Sequence, residues 1–183
     1  VAVLCGEAIG LDLGTFTGIC RGKPGELPTL SSIDFGKKDD EPHDIFGRAI
    51  IFFAQMFQQK PVRLFVEQPI PEFALKSQTQ ARSTELKYGL LAISTGIARA
   101  SGVCVERCPI STVRKHFLGQ GNLKSSIAKE RAFQVCTTLG WNPNNFDEAD
   151  AGAVWHWGCH KYDPDSVQIV DPLFLNREAI KRK

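Results

Sequence analysis

The first third of the chain alternates short apolar runs with breaks. Ala8, Ile9, Gly10, Leu11, Asp12 and Leu13 read as a buried strand closed by Gly14. Residues 17–21 and 30–34 read as two further strands, with Gly22, Lys23, Pro24 and Gly25 as the turn between them. Three short strands joined by tight turns predict an antiparallel meander. The period then changes. Ile45, Ala49, Phe52, Phe53, Met56 and Phe57 recur at helical spacing, which predicts a helix over 44–59 with Asp44 as its N-cap. Residues 62–67 form a fourth strand, cut off by Pro69 and Pro71, which cannot donate to a ladder. After a polar loop come a long helix over 83–101, a fifth strand over 103–108 and a short helix over 110–117. Gly119 to Asn122 is a turn, and two helices follow near 126–139 and 147–160. This order predicts an α/β fold. Its mixed five-stranded sheet has three antiparallel strands, then parallel ones, with helices on both faces. With no internal repeat and no second domain, residues 1–183 are expected to be one domain. A basic tail from about 171, ending in Lys181, Arg182 and Lys183, is expected to lie at its periphery.

Composition narrows the class. Hydrophobic residues make up 43% and charged residues 23%, as in ordinary globular domains. No apolar run approaches the roughly 20 residues that span a bilayer, so no membrane association is expected. The opening Val1 to Gly6 is too short and uncharged for a signal peptide, and a cytoplasmic protein is the expectation. The cysteines at 5, 20, 104, 108, 136 and 159 form no C-x-x-C pair and are expected mostly as small buried residues in a reducing compartment. The net charge of +2 says little, but its distribution says more. Arg107, Arg114, Lys115, Lys124, Lys129 and Arg131 are opposed within their segment only by Glu130. Such a stretch is either a solvated helix face or a phosphate-binding surface.

The acids carry the chemistry. Asp12 stands inside an apolar strand, where a carboxylate is costly unless something pairs with it. Glu67 closes the fourth strand after Leu64, Phe65 and Val66. In the proposed sheet the first and fourth strands are neighbours, which would let both carboxylates point into a common cleft. Asp147 and Asp150, three apart at a helix start, share one face. Each has an ordinary explanation: a turn cap for Asp12, a lysine partner for Glu67, and macrodipole complementation for the helix pair. Their coincidence does not. Gathered carboxylates repel and desolvate one another. Mg²⁺, or Mn²⁺ in its place, would relieve this, since hard cations prefer oxygen ligands. Two such ions suit phosphodiester hydrolysis.

Taken together, the motifs resemble those of RuvC-type Holliday junction resolvases of the RNase H-like superfamily. Ile9 to Thr15 resembles the first acidic motif, Val66 to Pro69 the second, and Asp147 to Ala151 the last. Pro109, Val113, Arg114 and Lys115, with Gly119, Gly121 and Lys124, resemble the basic loop and helix between them. The similarity spans roughly residues 8–162 in the same order. It implies a homodimeric endodeoxyribonuclease that resolves four-way junctions by paired symmetric nicks, leaving 5′-phosphate and 3′-hydroxyl ends. Two Mg²⁺ ions would be held by Asp12, Glu67, Asp147 and Asp150. Lys115 and Lys124 would contact phosphates, with Arg114 and Lys129 in support. A branch-migration helicase is a possible partner. The setting would be DNA recombination and repair at the nucleoid, or phage DNA processing in a host cytoplasm. An aromatic closely follows the Glu-Gln motif in the family. Here Pro69, Ile70 and Pro71 intervene, and Phe73 is the nearest aromatic for stacking at the junction centre. Some relatives carry His where Asp147 stands.

Three other readings share these residues. Another RNase H-like nuclease, acting on RNA–DNA hybrids or branched and flap DNA, would use the same acids. An ATPase of the actin and sugar-kinase type would use Gly10 to Thr15 as a phosphate loop, but it needs a second such loop and leaves Glu67, Asp147 and Asp150 idle. An inactive junction-binding protein would not need all four acids. His156 and His160, four apart on one helix, lack an H-E-x-x-H pattern and read as structural rather than as a zinc site. Cys104 and Cys108, on one strand face, and Trp155 and Trp157 read as packing residues.

Overall fold

The computed structural model describes residues 5–37, 39–68 and 81–168. Five strands form one sheet in the order β3-β2-β1-β4-β5: β1 (Ala8–Asp12), β2 (Phe16–Gly22), β3 (Thr29–Asp34), β4 (Arg63–Gln68) and β5 (Cys104–Pro109). The β1–β2 and β2–β3 pairs are antiparallel, and β1–β4 and β4–β5 are parallel. The helices are α1 (Pro42–Phe57), α2 (Ala81–Ala100), α3 (Ile110–Leu118), α4 (Ser125–Thr138) and α5 (Phe146–Tyr162). The predicted sheet and helix order are both present. Phe73 and the tail from 171 lie outside the described residues.

Strand alternation divides the core in two. Ile9 and Leu11 of β1, with Leu64 and Val66 of β4, face α1 and α2 and meet Ile45, Ala49, Phe53, Phe57 and Leu90. Ala8 and Phe65, one residue out of phase, face the other side with Cys108, Phe117, Val135 and Trp155. Asp12 and Glu67 share that second phase, so the pleat that buries Leu11 and Val66 under α1 and α2 turns both acids toward α5. The ladder pairs Leu11 with Val66. The next residues, Asp12 and Glu67, therefore stand side by side at the C-terminal ends of two adjacent parallel strands.

Helix α5 lies unusually close to the sheet. A Cβ on Gly18 would sit 1.9 Å from the Asp147 carbonyl oxygen, and one on Gly10 would sit 2.6 Å from the Trp155 nitrogen. Only glycine admits the helix backbone at these two points. Trp155, itself buried, donates from its indole nitrogen to the Ala8 carbonyl at 3.1 Å and ties the helix to β1.

Two local expectations change. The first full helix begins at Pro42, so Asp44 is not the N-cap but the third helical residue. It closes a capping box with Glu41, accepting from the Glu41 backbone N–H at 3.1 Å. Pro42 sets the start because proline suits the first turn, where no amide donor is needed. Cys104 is exposed, whereas Cys20, Cys108, Cys136 and Cys159 are buried. Cys104 opens the edge strand β5, where cover is incomplete.

Gly18→Ala should therefore destabilise the protein by roughly 3 kcal/mol, because the clash is with backbone. Gly47→Ala, on an exposed part of α1 with open space at its Cβ, should instead stabilise by roughly 0.5–1 kcal/mol. Urea denaturation of the pair checks both signs. A neutral Gly18→Ala would mean that α5 does not approach β2 this closely.

Candidate active site

The sheet supplies Asp12 and Glu67, and the first turn of α5 supplies Asp147 and Asp150. Their place depends on how the start of α5 is anchored. Asn145 is the N-cap, its side-chain oxygen accepting from the Glu148 N–H at 2.9 Å. Glu148 is 2% exposed and turns away from its acidic neighbours into the protein. Its carboxylate accepts from the Ser32 hydroxyl at 2.8 Å, the Asn144 N–H at 2.8 Å and the side-chain amides of Asn144 and Asn145 at 3.1 and 3.2 Å. Asn145 also donates to the Ser32 oxygen at 2.9 Å. A buried carboxylate satisfied this fully locks the helix start to β3.

The four acids act on one another. Asp12 is pushed up to about 6, first by burial and then by the charge of Asp147. Glu67 is pushed up to about 8, by burial and then by Asp12. Asp150 is pushed up to about 7, by burial and then by Asp12. The opposing cations are Lys129, Lys87 and Arg114. Lys129, on α4, donates to Asp147 Oδ1 at 3.0 Å and stands 3.8 Å from Asp150 Oδ2. Burial alone would depress its ammonium, but the hydrogen bond to Asp147 and the surrounding acids outweigh this and raise it.

Among the described residues, no three carboxylates, imidazoles or thiols are closed into a metal-coordinating group. The four acids share a field, and an ammonium stands against two of them. The donor set still fits a hard divalent ion, being all oxygen and carrying negative charge that burial makes costly.

The basic residues divide. Arg114 reaches the acid cluster electrostatically, and its guanidinium donates to the Leu123 carbonyl at 3.3 Å. Lys115 on α3 and Lys124 at the N-cap of α4 are exposed. Lys129 faces the acids. Two residues were not singled out from the sequence. Lys87 on α2 lies far from both Glu67 and Asp147 along the chain, so no local pattern ties it to the acids, though its charge lowers Asp12 and Glu67. Glu148 sits between Asp147 and Asp150, where it reads as one more first-turn acid. The Asn144 and Asn145 pair before it was the available signal for a buried capping network.

His156 and His160 meet His116 of α3, their rings 5.0 and 4.7 Å from its ring. One nitrogen of His156 lies 3.0 Å from the Gln168 carbonyl, so it carries the proton and donates. The other lies 2.8 Å from His116 Nε2 and must accept. Burial first, and the neighbouring imidazoles next, push His116 down to about 4. Burial also pushes His156 down to about 4. The neutral pair joins α3, which carries Arg114, to α5.

These shifts set a pH dependence. The raised carboxyls bind protons more tightly in the folded chain than in the unfolded one. In metal-free protein their stabilising contribution is present at low pH and is lost as pH rises through about 8. The two histidines work oppositely, contributing fully above about 6.5 and losing the contribution toward about 4. Between these limits, from about pH 6.5 to 8, the acids dominate. The melting temperature of metal-free protein should fall across that window, and Glu67→Gln should flatten the fall. A rising curve, or an unchanged slope in Glu67→Gln, would contradict the assigned acid cluster.

No protein-family model matches the sequence, and no curated protein does. Solved structures are similar in fold. Thermus thermophilus RuvC is 17% identical, with a TM-score of 0.59 over 85% of this chain and 95% of that one. The T. thermophilus RuvC structure in complex with a Holliday junction substrate is 18% identical, with a TM-score of 0.62 over 85% and 93%. The yeast mitochondrial Holliday junction resolvase Ydc2 is 14% identical, with a TM-score of 0.58 over 93% and 83%. The sheet order, the helices on its two faces and these matches together give the chain the RNase H-like fold of the RuvC-type resolvases.

Proposed function

We propose that this protein is a structure-selective endodeoxyribonuclease that resolves Holliday junctions by paired symmetric nicks. The observation that carries the reading is the meeting of Asp12, Glu67, Asp147 and Asp150 at the open ends of β1 and β4, on a fold shared with junction resolvases. Those four acids would hold two Mg²⁺ ions, with Mn²⁺ able to substitute. When bound, such ions supply Lewis-acid stabilisation of an attacking water and of the leaving 3′ oxygen. The chain's own contribution is to hold the carboxylates rigidly. Asp12 and Glu67 are fixed by strand pairing, and Asp147 and Asp150 by the Glu148 anchor. Arg114, Lys115 and Lys124 would bind phosphates, which position the DNA without reading its sequence. Phe73 is the candidate for stacking at the junction centre. Homodimer formation would bring two such sites to opposite strands, as paired nicking requires, and a branch-migration helicase would be a fitting partner.

The same acids would serve a nuclease acting on RNA–DNA hybrids, flaps or other branched DNA. An ATPase of the actin and sugar-kinase type would use only the Asp12 motif and give the other three acids no task.

The test is cleavage of a labelled mobile four-way junction in Mg²⁺, beside matched duplex, flap and RNA–DNA hybrid. The expected result is paired nicks on the junction, abolished by chelation and by Asp12→Asn or Glu67→Gln, with junction binding retained. Activity confined to hybrid or flap would replace the substrate. Normal cleavage by Asp150→Asn would remove it from the site. Lys115→Ala should weaken binding to all sequences alike and reduce the salt slope by about 1. An unchanged slope would take Lys115 off the phosphate surface.

A further inference from the structure

Lys129 occupies a place that the proposed chemistry needs for something else. Its ammonium donates to Asp147 Oδ1 at 3.0 Å and stands 3.8 Å from Asp150 Oδ2. Asp147 and Asp150 are the two acids that α5 contributes to the cluster, and the same charge also acts on Asp12. One cation therefore compensates three of the four acids. An oxygen that accepts from an ammonium at this distance is a weaker ligand for a metal ion, because the two cations repel and compete for its lone pairs.

Lys129 is nevertheless not enclosed by the protein. Its side chain is 36% exposed, against 28% for Asp147 and 18% for Asp150. The four-carbon stem is flexible, and an ammonium keeps its hydration cheaply at a surface. It rises from α4, the helix whose N-cap is the exposed Lys124. A phosphate bound beside the acid cluster would lie within the reach of the same stem.

We infer that Lys129 is a metal-gated phosphate contact: it holds Asp147 and Asp150 in the metal-free protein, is displaced when a divalent ion takes those carboxylates, and then pairs with a DNA phosphate. This inference rests on the nuclease reading above and adds an order of events to it. Before the ion arrives, the lysine keeps the acids compensated and is withheld from DNA. Afterwards it adds one cation to the DNA surface. Thermodynamic linkage requires the reverse as well: DNA that captures the released ammonium tightens metal binding by the same factor.

The experiment is calorimetric titration of Mn²⁺ into DNA-free wild type, Lys129→Met and Lys129→Arg. Junction affinity is then measured for each in EDTA and in Ca²⁺, an ion of the same oxygen preference, on junction shown by gel to be uncut. Methionine keeps the stem and removes the charge. Arginine keeps the charge and grips carboxylates with a planar fork. Lys129→Met should bind Mn²⁺ about tenfold more tightly than wild type, the worth of one charge-assisted hydrogen bond. Lys129→Arg should bind it no more tightly than wild type. The gain in junction affinity on adding Ca²⁺ should be smaller in Lys129→Met than in wild type. Equal Mn²⁺ affinities in all three proteins, or equal Ca²⁺ gains, would overturn the gate while leaving the nuclease reading intact. A wild type and Lys129→Met that both fail to take up Mn²⁺ would overturn the metal reading itself, and the gate with it.

Discussion

The architecture of the site depends on the seating of α5 against β1 and β2. Gly10 and Gly18 remove the side chains that would hold the helix off, and the Asp147 carbonyl fills the space above Gly18. Gly18 is paired with Asp12 in the ladder, so this approach brings the first turn of α5 directly over the first acid. Glu148 then anchors that turn to Ser32 of β3. One carboxylate is spent on structure so that its neighbours at 147 and 150 can face the cleft.

The arrangement carries an electrostatic cost. Burial and mutual repulsion raise Asp12, Glu67 and Asp150 well above ordinary carboxylates. The fold tolerates this because strand pairing fixes Asp12 and Glu67, and the Glu148 anchor fixes the helix turn that carries Asp147 and Asp150. It is also tolerated because Lys129, Lys87 and Arg114 supply opposing charge. Such a cluster attracts positive charge, and the Lys129 ammonium already stands against it. The neutral pair His116 and His156 has a related architectural part. It holds α3 and its guanidinium beside α5 without adding further charge to an already crowded field.

Much of the fold was legible because it follows from local periodicity. Alternation in β1 and β4 and the helical spacing of Ile45, Ala49, Phe53 and Phe57 each need only a few neighbouring residues to be read. The adjacency of β1 and β4 followed from the order of strands and crossovers. The N-cap expected at Asp44 lies three positions earlier because Glu41 and Pro42 compete for the helix start, and the choice depends on backbone geometry. The exposure of Cys104 depends on its place at a sheet edge, which its own apolar neighbours do not reveal.

The division for the site is sharper. The sequence by itself determined the fold class and the candidate acids Asp12, Glu67, Asp147 and Asp150, because a carboxylate in or at the end of an apolar strand is anomalous within a short window, and the ordinary first-turn pair at 147 and 150 gains meaning from its coincidence with them. Only the tertiary structure decided what each charged group faces. It turned Glu148 inward, brought Lys87 from α2 within range of Asp12 and Glu67, and set Lys129 against Asp147 and Asp150 rather than in open solvent. The reason is range. Periodicity and capping are properties of a few consecutive residues, whereas the partner of a charge is chosen by which distant segments the packed helices bring within a few ångströms.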